Sequence, residues 1–266
     1  MRAECFIIGS GRSLLDLTPE ERIYLNAHPR TLAMNKYLLF DEKVGVTPKA
    51  LFLADRHFPA PKVFTETVAR ARGLDPKPTY YVDDYYRKLF IQPYLDPIWV
   101  ARERARLYTR HRYIGPPWVR YPDFVFFHHL FGHYGDFSWA TTLDEPLFWL
   151  HGSLTTAINL AFVAYSRCDI KLVGVDLTGP EAFYEEQLQT RRDLTDKHYW
   201  RSKEMGEHWT VLAIKRGLSL LDGISQIRME LAKNGVQLLC CNSASLLVSE
   251  GICEYAPVLP ETDHEN

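Results

Sequence analysis

The stretch Cys5-Phe6-Ile7-Ile8-Gly9-Ser10-Gly11-Arg12-Ser13 decides the fold of this chain. Its four apolar residues are typical of a short buried strand, and the glycine-rich turn leads into a polar segment with spaced leucines. Backbone N–H groups of such a turn, with the amino end of a following helix, can bind an anion. The turn therefore predicts a strand, turn and helix with a phosphate-binding position, where Arg12 and Ser13 would add side-chain contacts. Because Leu14 occupies the third glycine position and the lysine of a P-loop is absent, a tight turn without a ligand is the alternative.

Four further apolar runs also end at a polar residue. They cover residues 31–34, 50–54, 170–175 and 236–241, and the polar residues that follow are Asn35, Asp55, Asp176 and Asn242. Buried parallel strands have this pattern, and open α/β sheets bind their ligands at the carboxyl ends of such strands. We therefore predict a Rossmann-like α/β fold with a mostly parallel sheet and helices on both faces. One nucleotide-binding domain is expected to span residues 1–257.

Two internal segments and the tail break this alternation. Residues 76–150 are rich in aromatic side chains, carry a cluster of arginines between positions 102 and 112, and predict a mostly helical insertion. Residues 178–209 are polar, contain Gly179-Pro180, and predict a flexible lid over the sheet edge. The tail, residues 258–266, is predicted to be disordered.

Composition and charge exclude several classes of function. The formal net charge of −2 over 266 residues argues against broad binding of nucleic acid, which needs a clear excess of Lys and Arg. Five cysteines without framework spacing fit a reducing cytoplasm. No apolar run approaches the roughly 20 residues that span a bilayer, so membrane association would be peripheral. Monomer and homo-oligomer both remain open.

Polar residues at the predicted strand ends are the first candidate site. Asn35, Asp55 and Asp176 occupy positions where amide and carboxylate groups typically contact a base or ribose hydroxyls, and Gly174 would permit close approach of the ligand. Helix N-capping is the alternative role for these side chains. His151-Gly152-Ser153 begins another predicted helix and would present N–H groups and a hydroxyl to the same crevice; an ordinary N-cap at Ser153 is the alternative there.

The predicted lid contributes three further candidates. His198, Tyr199 and His208 lie in it or at its end, and a histidine can act as a general base near neutral pH. An inert loop histidine is the alternative. His128, His129 and His133 do not predict a metal site, because there is no HExxH pattern and no paired cysteine.

Taken in order, these motifs resemble the Campylobacter-type bacterial sialyltransferases of glycosyltransferase family 42. The motifs that carry the resemblance are Gly9-Ser10-Gly11-Arg12-Ser13-Leu14, Met34-Asn35, His151-Gly152-Ser153, Leu172-Val173-Gly174-Val175-Asp176, His198-Tyr199 and Cys241-Asn242-Ser243. The resemblance covers most of the chain, but each motif is short.

The resemblance implies a metal-independent, inverting transfer of a sugar from CMP-sialic acid, with no cofactor. Carried over by motif, Ser10, Gly11 and Asn35 would contact the CMP donor, Gly152 would line its site, and Asn242 and Ser243 would hold the nucleotide. His208 would be the base that deprotonates the acceptor hydroxyl. Tyr184 or Tyr199 would stabilise charge on the departing CMP. A glycan or glycolipid acceptor, and a role in bacterial lipopolysaccharide or capsule biosynthesis, would follow.

The sequence departs from the family pattern in several places. The asparagine expected after the third strand falls on Ala54, beside Asp55, and Thr178 replaces a tyrosine expected after Asp176. The arginine expected just before the serine–glycine motif is absent, with Phe148 near its place. His151 itself enters the candidate list, because it replaces the family serine. The identity of the donor sugar, sialic acid or a related 2-keto acid such as Kdo, therefore stays open.

Two other functions remain as alternatives. A pterin diphosphokinase-like enzyme would share the small-Gly-small turn, and it would need a divalent cation bound by carboxylates such as Asp55 and Asp176. A non-catalytic module would use Arg102, Arg106 and Arg110 to bind an anionic surface or polysaccharide. A solvated helix face is the simplest interpretation of that arginine cluster.

Overall fold

The computed structural model describes residues 2–56, 59–116, 124–129, 138–166, 168–195, 203–214 and 217–260. Its centre is one sheet of eight strands in the order β5-β4-β3-β2-β1-β6-β7-β8. Every neighbouring pair is parallel. The strands are β1 (Glu4–Ile8), β2 (Thr31–Met34), β3 (Ala50–Leu53), β4 (Thr79–Asp83), β5 (Phe124–Phe127), β6 (Asp169–Val173), β7 (Leu238–Cys240) and β8 (Glu254–Tyr255). The predicted Rossmann-like α/β fold is confirmed.

Helices cover both faces of this sheet. They are α1 (Pro19–Ala27), α2 (Ala60–Ala71), α3 (Asp84–Tyr86), α4 (Pro97–His111), α5 (Ser153–Ala164), α6 (Glu185–Thr190), α7 (Trp209–Leu212), α8 (Leu220–Lys233) and α9 (Leu246–Ser249). The alternation of β1 divides the core: Cys5 and Ile7 pack with α5 and α8, whereas Phe6 and Ile8 pack with α1 and α2. Each face of a buried parallel strand contacts a helix layer, which explains why β1 is continuously apolar.

The chain between β1 and α1 differs from the predicted direct entry into a helix. A 3₁₀ turn, Arg12–Asp16, follows the glycine-rich turn, and α1 starts only at Pro19. Thr18 and Glu21 form a capping box that fixes this later start. The polar, leucine-spaced pattern was correct for a helix, but its amino end lies several residues downstream of the turn.

The region predicted as a helical insertion also supplies two strands. The arginine-rich segment does form a helix, α4, but β4 and β5 extend the sheet at one edge. Both strands are rich in aromatic residues, which pack well on a pleated surface. Phe52 on β3 and Phe127 on β5, for example, stack with ring centroids 5.2 Å apart. The prediction of a mostly helical insertion therefore did not include these two strands.

The described part of the predicted lid packs against the rest of the chain. Phe183, Leu188 and Leu194 are buried, and the N–H of Phe183 donates to the carbonyl of Ser10. In the tail predicted to be disordered, Val258 is buried, and residues 261–266 lie outside the described part. Among the described residues, no helix combines the length and apolarity that crossing a bilayer requires.

Candidate functional site

The candidate site is a cavity at the carboxyl ends of the central strands. The strand order reverses direction between β1 and β6, and open α/β sheets bind ligands at such a point. The cavity has a volume of about 450 Å³. Sequence-predicted residues that line it are Gly9, Ser10, Gly11, Asn35, Asp55, His151, Gly152, Ser153, Gly174, Asp176, Tyr184 and His208. The fold thus brings together residues that are far apart in the sequence.

Other predicted residues lie elsewhere. Those outside the cavity lining are Arg12, Ser13, Thr178, Asn242 and Ser243, and His198 and Tyr199 lie outside the described residues. The Arg12 side chain is 72% exposed, and its guanidinium lies 4.0 Å from the carboxylate of Glu181. It is therefore a solvated arginine that faces an acidic neighbour.

The glycine-rich turn after β1 interlocks with the turn after β6. A Cβ on Gly9 would lie 2.4 Å from the carbonyl oxygen of Gly174, and a Cβ on Gly11 would lie 2.5 Å from Oδ2 of Asp176. Gly174 itself has φ of +65°, and a Cβ there would lie 2.4 Å from Cγ of Leu14. Contacts this short exclude any side chain. Packing between the two turns is sufficient to require all three glycines.

Hydrogen bonds within the protein occupy several N–H groups of this turn. The N–H of Gly9 donates to Val173, the N–H of Gly11 donates to Gly174, and the N–H of Ser13 donates to Asp176. Three of the turn's N–H groups are thus used within the protein. The alternative reading, a tight turn, accounts for them.

Asp176 acts as a brace at the centre of the cavity wall. Its Oδ2 accepts the backbone N–H of Ser13 at 2.9 Å, and its Oδ1 accepts the Ser13 hydroxyl and the side-chain amide of Asn242, the latter at 2.8 Å. This carboxylate therefore joins the segments that follow β1, β6 and β7. Ser13 and Asn242 do not line the cavity but hydrogen-bond to Asp176, which does.

The amino end of α5 is the better anion-binding position. Gly152 and Ser153 line the cavity, Gly152 is the N-cap with φ of +127°, and no side chain caps the helix. The first N–H groups of a helix have no intrahelical acceptor, and the helix dipole favours negative charge there. His151 has φ of +53°, is buried, and its Nε2 lies 2.7 Å from the carbonyl of Leu218. This contact anchors the turn that leads into α5.

Asn35 and Asp55 accept hydrogen bonds from distant parts of the chain. Asn35 has φ of +47°, and its side-chain oxygen accepts the N–H of Ala54 at 3.3 Å. Asp55 accepts the hydroxyl of Ser153 at 2.5 Å, and Ser153 is the first residue of α5 rather than its cap. These contacts join the ends of β2 and β3 to the amino end of α5.

His208 lies beside that same amino end. Its Nδ1 is 2.7 Å from the hydroxyl oxygen of Thr210, and a Cβ on Gly152 would lie 3.3 Å from Cγ2 of Thr210. Burial lowers the pKa of His208 below its ordinary value, while the charge of Asp176 opposes that shift. The imidazole is therefore neutral near pH 7 and able to accept a proton. Thr210, which sequence reasoning did not single out, orients it.

Tyr184 also lines the cavity. Its ring is buried and stacks on Phe40, with centroids 4.7 Å apart. The prediction placed this tyrosine in a flexible lid. In the structure it belongs to the packed segment just before α6.

Sequence reasoning also missed a charged cluster beside the cavity. Arg56 lines the cavity and donates from Nε and Nη2 to the two carboxylate oxygens of Asp83, at 3.0 and 2.9 Å. Nδ1 of His129 lies 2.9 Å from the same fully buried carboxylate. Burial alone would raise the pKa of Asp83, but hydrogen bonds from His129 and Arg56 hold it below its ordinary value. Asp83 ends β4, much as Asp55 follows the end of β3. A polar residue at the carboxyl end of a strand is thus the signal that could have found Asp83.

Comparisons with known proteins give one structural likeness. No family model and no curated protein matches this chain. The solved structure of the sialyltransferase CstII from Campylobacter jejuni, in complex with the substrate analogue CMP-3FNeuAc, is similar over 98% of this chain and 89% of that chain. The sequence identity is 13% and the TM-score is 0.44, values too low to support an argument about function.

Proposed function

We propose that this protein is an inverting, metal-independent glycosyltransferase that transfers sialic acid or a related 2-keto sugar acid from a CMP-sugar to a glycan or glycolipid hydroxyl. The observation that carries the proposal is that neutral His208 and the uncapped amino end of α5 lie at one cavity, at the point where the strand order reverses. A base beside an anion-binding helix end is what transfer from a sugar phosphate requires. The ordered sequence motifs resemble those of glycosyltransferase family 42, which supports the same chemistry.

The amino end of α5 would bind the phosphate of CMP. As the bond between the anomeric carbon and the phosphate oxygen breaks, negative charge grows on the phosphate, and the first N–H groups of α5 would stabilise it. The Ser153 hydroxyl, which donates to Asp55, is held at the same place. Asn35, at the end of β2, is within the same cavity for contact with the nucleoside. Asn242 and Ser243 would act on the nucleotide only indirectly, the former through Asp176.

His208 would deprotonate the acceptor. The hydroxyl proton moves to Nε2, the acceptor oxygen forms the new bond to the anomeric carbon, and CMP leaves with the electrons of the broken bond. For Nε2 to accept, Nδ1 must carry the other ring hydrogen; the Thr210 hydroxyl at 2.7 Å can accept it, whereas the backbone N–H of Thr210, 3.4 Å from Nδ1, favours the other tautomer. Thr210 would therefore position the imidazole ring without selecting its tautomer. Tyr184 would donate its hydroxyl to the leaving group; Tyr199 would share that role.

Arg56 would bind the carboxylate of the sugar acid. The arginine that the family places before α5 is absent in this sequence, and Phe148 lies near its place. Another cation would therefore have to recognise the carboxylate of the sugar acid. Arg56 lines the cavity, and its guanidinium is fixed by two hydrogen bonds to a fully buried carboxylate. A planar guanidinium recognises carboxylates with defined geometry. Lys36, on the adjoining wall, adds a second positive side chain.

Thermal stabilisation by nucleotides tests the proposal. The protein is melted with CMP, CDP, UDP, GDP, ATP or NAD, first in EDTA and then in Mg²⁺. CMP at a hundredfold excess over its Kd should stabilise the fold by about 2.7 kcal/mol, a shift of roughly 5–10 °C. Ser153→Ala should reduce that shift, whereas Ser249→Ala, an exposed serine on α9, should leave it unchanged.

The other outcomes point elsewhere. A shift that requires Mg²⁺ and a purine triphosphate would favour the diphosphokinase-like alternative, with Asp55 and Asp176 near the metal. No shift with any nucleotide at millimolar concentration would exclude the transferase. A CMP shift would then justify assays with CMP-sialic acid and CMP-Kdo, which distinguish the donor.

A further inference from the structure

Exposed apolar side chains concentrate around α4. Of the eleven large hydrophobic side chains that are exposed in the described part of the chain, five lie between positions 94 and 114. They are Tyr94, Leu95, Ile98, Tyr108 and Ile114. Ile98 is 75% exposed and Ile114 is 80% exposed, so neither contributes to the core. A cluster of this kind on a surface marks a site of interaction.

The same surface is basic. Arg102, Arg110 and Arg112 are exposed, and none of the three forms an ion pair with any residue that the structure describes. The other two arginines of α4 have partners within the protein. Arg104 donates to the carbonyl of Leu89, and Arg106 forms an ion pair with Glu103. Two of the four arginines of α4 are thus paired and two are exposed, and the exposed Arg112 directly follows the helix.

Helical spacing places the apolar and basic residues of the outer face together. Ile98, Arg102 and Arg110 lie on one i, i+4 row of α4, and the guanidinium of Arg112 lies 5.4 Å from the ring centroid of Tyr108. On the inner side, Val100 and Leu107 are buried. The exposed side of α4 and its carboxyl end therefore carry both apolar and positively charged side chains, on a protein whose formal net charge is −2.

We propose that this surface, formed by Tyr94, Ile98, Ile114, Arg102, Arg110 and Arg112, docks onto an anionic lipid bilayer. Aliphatic and aromatic side chains insert at the boundary between headgroups and acyl chains, while arginines stay at the level of lipid phosphates. A soluble polyanion would attract the arginines but would offer nothing to two isoleucines. Lipid is the partner whose charge and apolar interior match both halves of the surface.

The docking surface is connected to the candidate site. Tyr85 donates its hydroxyl to Glu103 on α4, and the adjacent Tyr86 donates its hydroxyl to the carbonyl of Asp55 in the cavity wall. One short segment thus contacts both the docking helix and the cavity. Docking would hold the cavity close to the bilayer, where a lipid-linked acceptor would be found, although the docking itself does not depend on the proposed reaction.

Co-sedimentation of the full chain with vesicles tests the docking. We expect binding to vesicles of phosphatidylcholine with 30% phosphatidylglycerol and little binding to phosphatidylcholine alone. The triple variant Arg102→Gln, Arg110→Gln, Arg112→Gln should partition about 100-fold more weakly, from about fivefold for each arginine. The control Arg72→Gln, Lys77→Gln, Lys233→Gln removes the same charge from exposed positions elsewhere and should change partitioning by much less.

The apolar half has its own variant. Ile98→Ser with Ile114→Ser should weaken partitioning by about tenfold or more while the net charge is unchanged. Circular dichroism melts establish that each variant is folded. Equal losses in the basic variant and its control, or no binding to the anionic vesicles, would overturn the proposal. So would sedimentation equilibrium that shows a dimer which the isoleucine variant dissociates, because the surface would then bind a second copy of this chain.

Discussion

Replacing Asp176 by alanine separates a structural brace from a ligand contact. The carboxylate accepts hydrogen bonds from the backbone and hydroxyl of Ser13 and from the side chain of Asn242. Removing it leaves these donors, which belong to the segments after β1 and β7, without that acceptor. If the main role of Asp176 is to join the segments, the loss appears in folding stability before it appears in nucleotide affinity.

The expected magnitude follows from these three hydrogen bonds. A hydrogen bond contributes about 1 kcal/mol net, and more when one partner is charged, so Asp176→Ala should lower the free energy of unfolding by about 3–4 kcal/mol. Asp176→Asn keeps one acceptor oxygen and should cost about 1–2 kcal/mol. Asp16→Ala, an exposed aspartate in the 3₁₀ turn after β1, is the matched control and should change stability by less than about 0.5 kcal/mol.

Urea unfolding followed by circular dichroism measures these differences, and titration calorimetry measures CMP affinity on the folded variants. The midpoint should fall in the order wild type, Asp176→Asn, Asp176→Ala, with similar m-values. CMP affinity should decrease only modestly while the protein is folded. A loss below about 1 kcal/mol in Asp176→Ala, together with abolished CMP binding, would refute the brace and make this carboxylate a direct contact.

Four further outcomes are expected. Gly174→Ala should lower the free energy of unfolding in urea by roughly 1–3 kcal/mol or more, because its φ is +65° and the new Cβ would overlap Leu14; a neutral result would mean that the two turns separate easily. His208→Ala should leave CMP affinity nearly unchanged and reduce transfer by roughly 100-fold or more, and an equal loss of binding would remove it from the role of base. Because the pKa of His208 is lowered in the folded state, stability should fall as pH drops below its ordinary pKa of 6.5, and this part of the pH dependence should be missing in His208→Gln, measured by urea unfolding at each pH. Arg56→Gln should raise the KM for the CMP-sugar with little effect on CMP affinity, and parallel losses of both would place Arg56 at the nucleotide instead.

Five neighbouring strands of the sheet, β3, β2, β1, β6 and β7, and the positions of their carboxyl ends could be predicted because their signals are local. A short apolar run that stops at a polar residue indicates both the strand and its carboxyl end, as β2 and Asn35 illustrate. Parallel order then brings such ends to one edge of the sheet. Twelve of the predicted residues accordingly line one cavity. Their contacts with one another could not be predicted from local sequence patterns.

The interactions within the site could not be predicted because they join distant parts of the chain. Ser13 and Asp176 are separated by 163 positions, and Ser153 and Asp55 by 98 positions. A single sequence carries no record of such pairs. Asp83 was missed for a different reason: residues 76–150 were predicted to form a mostly helical insertion, whereas the aromatic residues of Thr79–Asp83 favour a strand.

The interlocked turns explain why the first motif of the sequence is ambiguous about function. A glycine pattern after a strand arises whenever a backbone must approach something closely, and the turn after β6 is such a partner here. In the proposed function the amino end of α5 would bind the anion, and Gly152 there takes a φ of +127° that favours glycine. Since a Cβ at Gly152 would also lie 3.3 Å from Thr210, the same glycine permits the residue that orients His208 to approach the helix end. The proposed base and the proposed anion site would thus be coupled through one glycine, and a change at Gly152 should affect both nucleotide affinity and transfer, whereas a change at Gly9 should affect folding first.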